Sequence, residues 1–142
     1  MKEDVRKSVD LLVKQFWKRG YLTISRRFGT YLPEPGKVGD FDVDIVARHK
    51  NDYAIGIYFS HKDFMGDGLA AKIKYLASRH TKYTDRRVKL FVEVPAIYFK
   101  QAKIVLEQLE PDIRKNVKLF QIADNTLPSS RKEKRESNAL FS

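Results

Sequence analysis

Three aspartates stand two residues apart in the segment GDFDVDIVARHK, at Asp40, Asp42 and Asp44. Alternate residues of an extended strand share a face, so a strand over residues 40–48 projects all three carboxylates to one side. A second strand-like run, residues 53–60, follows the polar His49-Lys50-Asn51-Asp52, which is a hairpin pattern. A turn at Lys50-Asn51 sets Asp44 opposite Ile57, Asp42 opposite Phe59 and Asp40 opposite His61. Grouped carboxylates are the chemistry of divalent-cation binding and of proton transfer. Beside Ile55, Ile57 and Phe59 they are costly unless water, cations or backbone donors reach them. Two arrangements satisfy that cost: a three-carboxylate face, or Asp40 and Asp42 at a solvated strand entrance with only Asp44 inside. His61 beside Asp40 is a potential metal or acid–base pair, but His49, His61 and His80 show no zinc-ligand spacing. Ser8, Ser25, Ser60 and Ser78 have no nucleophile-elbow context, and the glycines of residues 29–39 form no phosphate loop.

The elements that must position these residues are legible as periodicities. Val5, Val9, Leu12 and Phe16 fall on one face of a helix that stops at Gly20. Residues 21–28 read as a first strand, and the Pro- and Gly-rich residues 29–39 as a loop. After the hairpin, Gly66-Asp67-Gly68 opens a helix carrying Leu69, Ile73 and Leu76 and ending near His80. Residues 88–94 read as a strand closed by Pro95, residues 99–109 as a helix, and residues 117–122 as the last strand. The order α-β-β-β-α-β-α-β requires crossovers late in the chain, hence an α/β domain with a mixed sheet flanked by helices. Residues 1–125 make that domain, and residues 126–142 read as a basic flexible tail.

Composition narrows the class. The chain has 142 residues, 28 Lys and Arg against 18 Asp and Glu, a net charge of +10, and no cysteine. Disulfides, zinc ribbons, iron–sulfur clusters and thiol nucleophiles are thereby excluded. No apolar run approaches the ~18 residues of a membrane span, and the charged N-terminus lacks a secretory core, so a cytoplasmic, non-membrane protein is expected. The positive charge points to a polyanionic partner.

The segment Val43-Asp44-Ile45-Val46-Ala47, set in this element order, resembles the PD-(D/E)xK nuclease superfamily. Within it, the archaeal Holliday-junction resolvases and restriction-endonuclease-like proteins are the nearer likeness. Valine stands here where the family has proline. The resemblance implies a restriction-endonuclease-like fold over residues 5–122, with Asp44 as a metal ligand, Mg2+ as the ion if the centre is active, and a homodimer. Its glutamate–any–lysine strand is absent, because Ile57 and Phe59 fall at the two functional positions, and Val9 takes the place of the acid on the first helix. A rescued centre would combine Asp44 with Asp42 and Asp63, and Lys62 or Lys72 would replace the lysine.

Cations gather at Arg26-Arg27, at Arg48 and Lys50, and along residues 72–87, where Lys72, Arg79, Lys82, Arg86 and Arg87 alternate with tyrosines. Lysine and arginine supply sequence-independent phosphate affinity, and aromatics add stacking where bases are unpaired. The expectation is a nucleic-acid-binding protein, for DNA first, with a degenerate and inactive nuclease centre and no cofactor. One alternative is a Mg2+-dependent endonuclease using Asp44, Asp42 and Lys62. The other is an interaction subunit whose tail, with Leu140-Phe141, docks on a partner protein. Trp17 and Phe99 are the expected homodimer contacts.

Overall fold

The apolar stripe of the first segment closes onto a sheet in the computed structural model, which describes residues 2–82 and 85–123. Helix α1 (Lys2–Lys18) fully buries Val9, Leu12 and Phe16, and Gly20, at φ +86, lets the chain reverse out of the helix. The strands are β1 (Leu22–Arg26), β2 (Ile45–His49), β3 (Asp52–Tyr58), β4 (Lys89–Pro95) and β5 (Val117–Ile122), in the spatial order β1-β2-β3-β4-β5. The first three pair antiparallel, whereas β4 and β5 add in parallel. Parallel pairing needs crossovers. Helices α2 (His61–Met65) and α3 (Leu69–Ala77) supply the first. A 3-10 turn (Ala96–Tyr98) with α4 (Phe99–Glu107) and α5 (Pro111–Arg114) supplies the second. The expected α/β class and element order hold. The structure adds α2 and α5, both too short to leave a helical period in the sequence.

Strand alternation sorts the core onto two faces. Ile45, Ala47, Ala54 and Phe91 turn toward α1, where Phe16 stacks on Phe91 at 4.1 Å between ring centroids. Ile55, Ile57, Leu90, Val92 and Val94 turn the other way, against Ile73 and Leu76 of α3 and Ala102 and Leu106 of α4. The apolar run of β4 over residues 90–92 follows from this, since a central strand is covered on both sides.

The hairpin register is the expected one, from Ile45 opposite Gly56 to His49 opposite Asp52. Its length is not. Strand β2 begins at Ile45 rather than at residue 40, because Val38 and Phe41 bridge across a turn at Gly39-Asp40. Gly39 has φ +61 and lies against Tyr75, so the turn is built at a position closed to side chains. Asp40 and Asp42 are consequently exposed and never enter the sheet. The tail expected over residues 126–142 lies outside the described residues. No helix among the described residues is long and apolar enough to cross a membrane.

Gly56 sets the distance between α1 and β3. A methyl group there would lie 2.7 Å from Phe16 Cε2 and 3.1 Å from Leu12 Cδ2. Gly56→Ala is expected to destabilise the protein by about 1–3 kcal/mol, the usual penalty for overpacking. Urea unfolding should show a lower midpoint at an unchanged slope. An unchanged midpoint would mean that α1 is not pressed onto the sheet at this point.

Candidate functional site

At the carboxyl ends of β3 and β4 the sheet meets two buried acids. Asp44 is 6% exposed and Glu93 only 2%. Asp44 arrives there because β2 starts one residue later. The Asp44 N–H still donates to the Gly56 carbonyl at 3.0 Å, but its carboxylate, not a further backbone rung, accepts the Tyr58 N–H at 2.8 Å. The second carboxylate oxygen accepts from Arg27 Nη1 at 3.2 Å, and the Arg27 N–H donates to the Asp44 carbonyl at 2.9 Å. One residue thus ties together the ends of β1, β2 and β3.

Glu93 follows from the parallel register, which sets it opposite Tyr58, while the Phe59 N–H donates to the Glu93 carbonyl at 3.0 Å. It shares the α1-facing side of β4 with Phe91 by alternation. Its Oε1 is buried and has no hydrogen-bond partner among the described residues. Burial first, and the charge of Asp44 second, push its carboxyl up to about 8. Burial also raises the Asp44 carboxyl, against the opposing pull of the Tyr58 N–H, Arg27 and Lys72. On the α3 side, Lys72 lays its ammonium over the rings of Phe59 and Phe41, at 5.6 and 5.8 Å from their centroids. The unit is two buried acids, one biased toward its protonated form and one held by two donors, with two cations at the mouth of a sheet.

The other expected site residues are dispersed. Asp42 pairs at the surface with Lys37 at 3.4 Å. Asp63 folds back to accept the Ser60 N–H at 2.7 Å, opening α2, and Lys62 is exposed on that helix. His61 meets the Tyr98 hydroxyl rather than Asp40, because β3 stops at Tyr58 and the chain turns into α2. Asp10 is ion-paired to Arg26 at the surface, whereas Val9 is buried beneath it. The acidic cluster of Asp42, Asp44 and Asp63 does not form. Glu93, unforeseen in the sequence, is the residue that stands beside Asp44.

The expected phosphate-binding cations fall at opposite ends of the molecule. Arg26, Arg27 and Lys72 belong to the Asp44 end. Arg48 and Lys50 belong to the β2–β3 turn, and Arg86 is bound there to Asp52 at 2.7 Å. Arg79 lies over Tyr75, its guanidinium 3.8 Å from the ring centroid, and Arg87 donates to the Asp112 carbonyl at 3.0 Å. Lys82 is exposed near that far end.

Two carboxylates are hard oxygen donors of the kind Mg2+ accepts, but the set falls short of a metal centre. Both Asp44 oxygens are already hydrogen-bonded, Ile57 and Phe59 fill the adjoining positions with hydrocarbon, and the described residues offer no group of three or more ligating side chains. Compared with family models, with curated proteins and with solved structures, the chain has no match.

The raised Glu93 pKa has a signed consequence. The folded protein keeps a proton that the unfolded chain releases near 4.5, so stability falls as pH rises from about 4.5 to about 8. The slope attributable to this residue is at most about 1.4 kcal/mol per pH unit. Glu93→Gln keeps the shape and cannot ionise. It is expected to flatten that part of the profile and to be more stable than the wild type above pH 8. Urea unfolding of both proteins across this range is the measurement. Parallel profiles would mean that Glu93 is ionised in the fold.

Proposed function

We propose that the chain is a nucleic-acid-binding protein, built on a restriction-endonuclease-like version of the α/β sheet, that binds DNA without cutting it. The fold reading is supported by the element order and by the switch from antiparallel to parallel pairing at β3. Ligands of open α/β sheets sit outside the carboxyl ends of the strands, which is where Asp44 and Glu93 lie. One observation carries the binding reading: Arg6, Arg26, Arg27 and Lys72 gather at that end, while the acids beneath them are held by donors or kept neutral. That end therefore offers Arg27 and Lys72 to a phosphate backbone. Arg27 retains 43% of its side-chain exposure despite its ion pair, so its remaining donors face outward.

Catalysis of phosphate-ester hydrolysis needs charge stabilisation and a positioned water. The hydrocarbon of Ile57 and Phe59 occupies the space where those would be arranged. A second reading, a metal-dependent hydrolase, is favoured by the unpartnered Glu93 oxygen beside Asp44.

Duplex DNA is expected to bind with an affinity that falls steeply with salt. Lys72→Ala should reduce the log–log slope by ~0.9 on B-form DNA, the value of one phosphate contact. Arg86→Ala, at the far end and already paired to Asp52, should leave the slope unchanged. Fluorescence anisotropy over a salt series reads both. No binding at about 50 mM salt would sink the proposal. Incubation of junction, flap, duplex and single-stranded substrates with Mg2+ or Mn2+ is expected to give no product. Cleavage that vanishes in both Asp44→Ala and Glu93→Gln would establish the second reading instead.

A further inference from the structure

A pocket of about 350 Å³ opens between α1 and the loop that follows β1, with Arg6, Asp10, Arg26, Phe28 and Tyr31 in its walls. That volume is within the range of small-molecule sites, and its lining mixes charge with aromatic rings. The loop is held in place by backbone bonds. Arg26 N–H donates to the Pro33 carbonyl at 2.9 Å, and Phe28 N–H donates to the Glu34 carboxylate at 3.3 Å. Phe28 adopts φ +62, a left-handed conformation uncommon for a bulky residue. In this conformation its ring sits against two guanidiniums, those of Arg27 at 4.8 Å and Arg6 at 5.4 Å from the centroid. Tyr31 is 96% exposed, so its ring contributes nothing to the core.

An exposed aromatic ring beside arginines held in place by a second ring is complementary to a planar group that carries an anion. Duplex DNA hides its base faces, whereas an unpaired nucleotide offers both a base face and a phosphate. We infer that this pocket takes one unpaired nucleotide of a bound nucleic acid, its base stacked on Tyr31 and its phosphate at Arg6. The inference rests on the nucleic-acid reading above and narrows it to strands with a single-stranded end or gap. Arg27 links the two sites physically, since the same guanidinium lies over Phe28 and donates to Asp44. Asp10 is paired with Arg26, whose charge offsets that of the acid in the pocket wall and leaves Arg6 to the phosphate.

The test compares a blunt duplex with the same duplex carrying a short single-stranded overhang, by anisotropy at one salt concentration. The wild type is expected to bind the overhang substrate about tenfold more tightly, within the range of one base–aromatic stack. Tyr31→Ser should abolish that difference while leaving blunt-duplex affinity and the thermal midpoint unchanged, because the ring is exposed. Arg6→Gln should lower the salt slope on both substrates, and by more on the overhang substrate. Equal wild-type affinity for both substrates, or a preference that survives Tyr31→Ser, overturns the inference and leaves duplex binding standing. Failure of the wild type to bind either substrate removes the nucleic-acid reading together with it.

Discussion

A carboxylate buried in the end of a sheet is the constraint on which the rest of this molecule turns. Asp44 has to face the Arg27 guanidinium and to be hydrogen-bonded to be tolerated at 6% exposure. It satisfies both by replacing a rung of the β2–β3 ladder with its own side chain. The consequence propagates to β4. Burial first, and the neighbouring Asp44 second, drive Glu93 toward its neutral form. The cations outside are then less compensated than the sequence count alone would indicate. A structural solution to a buried charge thereby leaves one acid of the sheet end paired and biases the other toward its neutral form.

Much of this was legible in the chain. The hairpin register came from one polar break, His49-Lys50-Asn51-Asp52, because a turn fixes every pairing behind it. The placing of Ile57 opposite Asp44 followed from that register, whereas its burial did not. What failed was the assumption that alternation means a strand. Residues 40–44 alternate acid and apolar, yet Gly39 and Tyr75 put a turn there, and a contact between residues 36 apart leaves no local trace. The short helices α2 and α5 were lost for a simpler reason, since five and four residues give no period to detect.

Glu93 was the missed residue, and its signal was present. A glutamate between Val92 and Val94, in an otherwise apolar strand closed by Pro95, is a charge placed where the neighbours ask for burial. Such a residue must have a partner, a proton or a purpose. Its proximity to Asp44 was invisible, because the parallel register of β3 and β4 is set by packing of α3 and not by any turn. The separation of the basic residues into two groups was hidden for a related reason. Residues 72–87 look like one patch in sequence, but α3 carries them from one end of the sheet to the other.

The spatial order of the strands is their order in the chain, from β1 at one edge to β5 at the other. Among the described residues no strand is inserted between two earlier ones, so the chain can lay down this sheet as it leaves the ribosome. Each new strand meets an edge that already exists, and no completed pair has to open to admit a later one. The hairpin β2–β3 is complete in the chain before β4 and β5 are made, so it stands ready as a template for the parallel additions. In such a sheet the growing edge is always the youngest strand. During synthesis the sequence that must be shielded from wrong pairing therefore changes, passing from β3 to β4 and finally to β5.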